Sequence, residues 1–379
     1  MNTVFTPFEK TLMARLIEAA KTQKGYTLPN PVTAAAVVKN GKVISEGIHQ
    51  KAGEPHAEAI ALDRCGVAAQ GATLYVTLEP CTHWGKQPPC ANRIIESGIT
   101  KVVYAIDDPN PKVREKSAKE LFSSAGIEVA SGLFQEEALL LNAGFFKTHL
   151  LKQPFVTLKA GMSIDGKIAL SNGQSKYITS VESRKKVHQL RRENQALLIG
   201  IGTVLSDNPL LNCRDDDGPD LERERTILIL DPEAKLPESS ALFKANPGVS
   251  IILLTARKTI LPMSLKKHVT HWPFDVNSEG KIAWPDILHK CYEEGIQDIL
   301  IEGGPGVYSS ALDQHAVDKV IFFLAPKLFG GENDRSVFAT KGFNKLADVS
   351  EIQDMKMKML GPDIQITGYL RHPKQWLPN

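Results

Sequence analysis

An α/β protein of two domains is what this sequence predicts, on three observations. The 379 residues exceed one domain at a prior of about 150 residues each. Short apolar runs alternate with segments of helical period, the pattern of a layered α/β fold with a largely parallel sheet. The alternation restarts near Gln153-Pro154, which puts the boundary at about residue 150 and the domains at 1–150 and 151–379.

The first domain opens with Phe8, Leu12, Leu16, Ile17 and Ala20 at helical spacing. Thr6 is placed to cap this helix and Pro7 to occupy its first position. Ala34–Val38 reads as a buried strand, Asn40-Gly41 as a hairpin turn and Lys42–Ile48 as the return strand. A helix over 56–63, a strand over 72–78, a helix over 91–97, a strand over 100–106 and a helix over 115–125 follow. One amphipathic helix is expected over 135–150. In the second domain, strands are expected over 155–160, 196–200, 226–230, 250–254, 298–301, 319–324 and 364–369, and helices over 180–194, 284–294 and 306–315. The Asp215-Asp216-Asp217-Gly218-Pro219 run reads as a solvated loop.

Composition excludes several classes of function. Lys and Arg number 45 against 43 Asp and Glu, a net charge of +2. That balance argues against a broad nucleic-acid surface and leaves room for a local phosphate pocket. No apolar stretch of about 18 residues is present, so no membrane partner is expected. Charges at Glu9, Lys10, Arg15 and Glu18 distinguish the N-terminal helix from a signal-peptide core. The five cysteines (65, 81, 90, 213 and 291) are irregularly spaced, which fits a reducing cytoplasm better than a disulfide framework.

The strongest chemical signal is His56-Ala57-Glu58, then Pro80-Cys81, then Cys90. One imidazole and two thiolates leave the fourth position of tetrahedral zinc to water, the arrangement of a catalytic site. Zinc lowers the pKa of that water toward about 7. Glu58, two residues after His56 at a helix start, is the candidate catalytic proton shuttle. A helix starting near Cys90 would aim its amides at the thiolates. His83 is the nearby residue that would close a structural site instead. The H-x-E…P-C…C order is that of zinc nucleobase deaminases, with eight residues between the cysteines in place of two.

The segment Glu79-Pro80-Cys81-Thr82-His83-Trp84-Gly85-Lys86-Gln87-Pro88-Pro89-Cys90 closely resembles the E-P-C-x-H-x-G-x-x-P-P-C segment of the riboflavin-pathway pyrimidine deaminases. Pro29-Asn30-Pro31 and Asp108-Pro109-Asn110-Pro111 resemble two further motifs of that family. The resemblance implies a cytidine-deaminase-like α/β/α sandwich, with Asn30, His83, Lys86 and Asp108 contacting substrate. Asn suits a pyrimidine edge and Lys86 a ribose phosphate. Thr33-Ala34 replaces the family's V-G, and Glu115 and Ser117 stand where it carries glycines. Those replacements are expected to disturb the loops if a positive φ or a close backbone approach is required there.

Residues 154–379 resemble the reductase half of the bifunctional riboflavin-biosynthesis deaminase-reductases, with a fold similar to dihydrofolate reductase. The likeness rests on four segments: 158–167, 200–209, Glu302-Gly303-Gly304-Pro305-Gly306, and Ala325-Pro326-Lys327-Leu328-Phe329-Gly330-Gly331. It implies NADPH contacts from Gly161, Tyr177, Thr203, Asp207, Gly304, Pro305 and Gly306. It implies substrate contacts from Ser175, Arg191, Leu211, Arg214 and Glu302. Lys159 and Asp165 lie near a strand end, where their polar heads suit the ribose; Asp165-Gly166 also reads as a plain turn. Glycines between a strand and a helix let backbone amides approach a pyrophosphate, and Arg191 and Arg214 offer forked donors to a phosphate.

The resemblance thus implies zinc-dependent deamination of a phosphorylated diaminopyrimidine, then NADPH-dependent reduction of its ribosyl group, in a dimer or tetramer. The alternatives are a different nucleobase deaminase fused to an unrelated oxidoreductase, and a non-enzymatic zinc-stabilised nucleotide-binding regulator. The near-neutral charge and the P-P-C loop count against nucleic acid.

Overall fold

A computed structural model describes residues 4–85, 88–115, 117–213, 225–245, 249–340, 342 and 344–377. The chain forms two compact units, Met1–Lys152 with Trp376–Asn379, and Gln153–Gln375. Trp376 and Leu377, at the end of the 151–379 span expected for the second domain, pack on the apolar core of the first unit.

The first unit is a five-stranded sheet in the order β2-β1-β3-β4-β5. Its strands are β1 (Ala34–Lys39), β2 (Lys42–Ile48), β3 (Thr73–Val76), β4 (Lys101–Tyr104) and β5 (Glu128–Ser131). Helices cover both faces, so β1 is a continuous apolar run. Ala34, Ala36 and Val38 join the core under the Pro7–Lys21 helix. Ala35 and Val37 join the core under the Ala57–Cys65 and Cys90–Glu96 helices. That split follows the two-residue period of a strand. A largely parallel sheet was expected here, but β1 pairs antiparallel with both β2 and β3, and only β3-β4 and β4-β5 are parallel. The Asn40-Gly41 hairpin forces the first pairing.

Thr6 and Glu9 form a reciprocal capping box on the first helix, with Pro7 at its start. The expected single helix over 135–150 is two, Gln135–Leu141 and Ala143–Leu151. Asn142 interrupts it because its side chain accepts from Val32 N–H at 2.9 Å and donates to Val32 C=O at 3.1 Å.

The second unit is built on a nine-stranded sheet, β11-β10-β9-β8-β12-β6-β13-β16-β15. The strands are β6 (Phe155–Ser163), β7 (Lys167–Ala169), β8 (Ala196–Gly200), β9 (Arg225–Leu230), β10 (Val249–Ala256), β11 (Thr270–Phe274), β12 (Asp298–Ile301), β13 (Lys319–Ala325), β14 (Arg335–Ser336), β15 (Gln353–Leu360) and β16 (Asp363–Tyr369). From β11 to β13 every pairing is parallel. The last two strands are antiparallel, and β7 and β14 form a separate ribbon. Strand β8 sends Ala196 and Leu198 into one core and Leu197 and Ile199 into the other. Strands β5, β7, β11, β14 and β15 were not anticipated. In β15 seven of eight residues are exposed and Met alternates with Lys, so no buried apolar run marks it.

Candidate functional site

In the first unit, parallel strands β3 and β4 end on one side of the sheet, and the chain after each lines a cavity of about 240 Å³. That is where α/β sheets commonly place ligands. His56 is the N-cap of the Ala57–Cys65 helix and Glu58 lies in its first turn. Gly47 of β2 lets this helix seat closely: a Cβ there would lie 2.7 Å from Ala61 N and would collide with the Ala57 carbonyl. Cys90 opens the Cys90–Glu96 helix, and its N–H donates to Cys81 Sγ at 3.3 Å.

His56 Nδ1 lies 3.6 Å from Cys81 Sγ and 3.3 Å from Cys90 Sγ. Tetrahedral zinc with ordinary Zn–S and Zn–N bonds requires roughly 3.6 Å between such atoms. These three residues form a group able to hold a metal ion, with all ligand atoms within 4.8 Å of one another. The donor set therefore fits zinc. His83 does not belong to that group. The hydrogen bond from Cys90 draws the Cys81 thiol down to about 4, and the bond to Cys81 drives His56 up to about 9. The contact with Cys81 and burial push the Cys90 thiol the other way, and metal binding requires both thiols and His56 without their protons. Glu58 is buried, and desolvation raises its carboxyl above the ordinary range.

Asn30, His83 and Asp108 line the same cavity as His56, Glu58 and Cys81. His83 Nδ1 is buried without a hydrogen-bond partner among the described residues. Lys86 lies outside the described residues. Sequence reasoning missed His49, which also lines the cavity. Its Nδ1 is 3.0 Å from the Pro55 carbonyl, so that nitrogen carries the proton. Nε2 then accepts from the Asn30 amide at 3.1 Å. His49 directly follows β2, and no local motif marks it. The glycine replacements leave the backbone relaxed: Glu115 has φ −60° and Ser117 has φ −61°, and Ser117 caps the Ala118–Ser124 helix. Neither position therefore holds the positive φ that would favour glycine.

In the second unit a cavity of about 410 Å³ opens at the carboxyl ends of β8, β9 and β12. Thr203, Asp207, Gly304, Pro305 and Gly306 line it, and so does Ser175, which was expected among the substrate contacts. Gly161 and Tyr177 are not among the described lining residues. Gly161 packs against Thr179, and the exposed Tyr177 ring lies 4.4 Å from the Arg184 guanidinium. A Cβ on Gly303 would meet Gly200 N at 3.0 Å and Val307 Cβ at 3.1 Å. That glycine is required by the close approach of β8, while Gly306 has open space.

A second cluster gathers Lys159, Arg191 and Glu302. The Glu302 side chain is buried, receives Lys159 at 2.9 Å and is gripped by Arg191 through bonds of 2.7 and 2.9 Å. Burial alone would raise its carboxyl, but the two cations outweigh burial and hold it well below the ordinary range. Arg191 also donates to the Asn212 carbonyl at 3.0 Å, beside the buried Leu211. Arg214 lies outside the described residues. Asp165 accepts from Phe329 N–H at 3.2 Å and Gly330 N–H at 2.9 Å, so it ties two of the motif segments together.

Comparison with known proteins agrees with both halves. The family signature described as the RibD C-terminal domain matches residues 154–366, and the cytidine and deoxycytidylate deaminase zinc-binding region matches residues 7–106. The chain is 40% identical to the riboflavin biosynthesis protein RibD of Aquifex aeolicus over 94% of its own length and 97% of the relative's. The chain belongs to the RibD family. The Escherichia coli member is 34% identical, with 93% of this chain and 96% of that one covered. Among solved structures, RibD of Acinetobacter baumannii superposes with a TM-score of 0.83 at 32% identity, covering 96% and 98% of the two chains. A Thermotoga maritima diaminohydroxyphosphoribosylaminopyrimidine deaminase/5-amino-6-(5-phosphoribosylamino)uracil reductase gives 0.81 at 37% identity and the same coverage. As a RibD-family member the chain is a bifunctional deaminase and reductase of riboflavin biosynthesis, with a zinc-binding deaminase domain and an NADPH-using reductase domain.

Proposed function

We propose that the chain removes the 2-amino group of 2,5-diamino-6-ribosylamino-4(3H)-pyrimidinone 5′-phosphate and then reduces its ribosyl group to ribityl. The observation that carries this reading is the convergence of His56, Cys81 and Cys90 beside buried Glu58, in the cavity lined by Asn30, His83 and Asp108. In the first step His56, Cys81 and Cys90 would hold zinc, which would supply the Lewis acid that makes water a nucleophile at neutral pH. Glu58 takes a proton from the attacking water and passes it to the ring nitrogen as the C–O bond forms, then takes the hydroxyl proton of the adduct and gives it to the amino group as the C–N bond breaks, releasing ammonia. Its raised pKa suits a group that must both accept and give. Asn30, His83, Lys86 and Asp108 bind the pyrimidine and its ribose phosphate.

In the second step bound NADPH would supply the hydride that reduces C1′ of the ring-opened imine, whose nitrogen takes a proton from solvent. Thr203, Asp207 and residues 304–306, which line the larger cavity, bind the cofactor, and the family resemblance adds Gly161 and Tyr177. Lys159, Ser175, Arg191, Leu211, Arg214 and Glu302 bind and orient the sugar phosphate. The Lys159–Glu302–Arg191 cluster supports this, because a buried carboxylate holds both cations in fixed positions. We place the protein in the cytoplasm as a dimer or tetramer, with no nucleic-acid or membrane partner. Among the described residues no helix is long and apolar enough to cross a membrane.

The test is mass spectrometry of the product with and without NADPH, alongside ammonia release and metal analysis. Glu58→Gln is expected to keep its zinc and to lose ammonia release by a factor of about 10² to 10⁴. Normal turnover in that variant removes Glu58 from the chemistry.

A further inference from the structure

Glu79 is a buried carboxylate, 6% exposed, with each oxygen committed to a backbone amide of a different segment. Oε2 accepts from Asp108 N–H at 3.0 Å and Oε1 accepts from Ala118 N–H at 2.9 Å. Its own N–H donates to the Ile106 carbonyl at 2.9 Å, anchoring it to the chain that leaves β4. Asp108, also 6% exposed, turns its Oδ1 to Asn110 N–H at 2.8 Å and lines the cavity with Glu58 and His56. We propose that Glu79 is a positioning residue of the deaminase site: it fixes Asp108 against the substrate cavity by clamping the Asp108 amide and the start of the Ala118–Ser124 helix to one carboxylate. This rests on the reading of Asp108 as a substrate contact.

A carboxylate is acceptor-only, so both oxygens satisfy an N–H; an amide of the same shape turns a donor toward one of them. Charge-assisted bonds are the stronger kind, and a buried N–H left facing a donor loses its partner outright. The clamp also accounts for how this chain holds its helix start with Ser117 in place of a glycine. Ser117 Oγ accepts from Glu120 N–H at 3.2 Å, while Glu79 takes the Ala118 amide.

The experiment is a double-mutant cycle on the full chain, read by ammonia release from the diaminopyrimidine phosphate. Glu79→Gln is expected to raise KM about tenfold, with kcat within about twofold, zinc at one per chain and the reductase step unaltered. In an Asp108→Ala background the same change is expected to add less than about twofold. A full, independent tenfold effect in that background overturns the clamp alone, as does a loss confined to kcat. An Asp108→Ala variant with unchanged KM overturns the substrate role of Asp108 and the clamp with it. If Glu79→Gln is purified without zinc, Glu79→Asp, which keeps the charge and withdraws it by one methylene, replaces it in the cycle. Zinc loss in both variants assigns Glu79 to the support of the metal site and overturns the proposal.

Discussion

Arg191 grips Glu302 with two donors, Nε at 2.7 Å and the second terminal nitrogen at 2.9 Å, while Lys159 takes the same carboxylate from another strand. The pair joins the Val181–Glu193 helix to the end of β12. A bidentate fork of this kind fixes orientation as well as charge.

Arg191→Ala leaves a buried carboxylate with one cation. We expect the KM of the reductase substrate to rise about tenfold or more and ammonia release to be unchanged. Separate assays of NADPH consumption and ammonia check this, and an effect confined to deamination would contradict the assignment of Arg191 to the reductase.

Gly303→Ala puts a methyl 3.0 Å from the Gly200 backbone nitrogen. The backbone of β8 must give way, which costs about 1–3 kcal/mol. A lower Tm and weaker NADPH binding are expected, measured by calorimetry; unchanged values for both would show that the strand end yields freely.

Hydrogen bonds from Ser163, and from the Gly330 and Phe329 amides, pull Asp165 from 3.8 down to about 2. A carboxylate with a depressed pKa stabilises the fold fully above its unfolded value and loses that contribution as the pH falls through the folded one. The contact with Phe329 and Gly330 should therefore hold above about pH 4 and fade toward pH 2. Amide exchange at these two residues, corrected for the intrinsic pH dependence, reports it. Asp165→Asn should abolish the step.

Removing zinc with a chelator should silence ammonia release and leave reduction of the deaminated intermediate intact. Zinc added back should restore the first activity. Parallel loss of both activities would show that the two units do not act independently.

Much of the chemistry was legible because it depends on residue type at short spacing. The order of His56, Cys81 and Cys90 pointed to a metal site, and the geometry brings the ligand atoms of those three within 4.8 Å of one another. His49 was not legible. Its role comes from a hydrogen bond to Asn30, nineteen residues away, and from the tautomer set by Pro55. Glu79 stood inside a quoted motif, yet its two partners lie 29 and 39 residues downstream. Gly303 belongs to the Gly-rich turn at 302–306, and its nearest constraint is the backbone of β8, which the local sequence does not show.

By itself the sequence determined the α/β class, the restart of the pattern near residue 153, a His/Cys/Cys group able to hold a metal ion and most buried strands, because apolar periodicity and donor chemistry are local properties. Only the tertiary structure decided the antiparallel start of the first sheet, the break at Asn142, the exposed strand β15 and the partners of Glu79 and His49. Those depend on which backbone amides and carbonyls meet once distant segments pack together, and no local period encodes such a meeting.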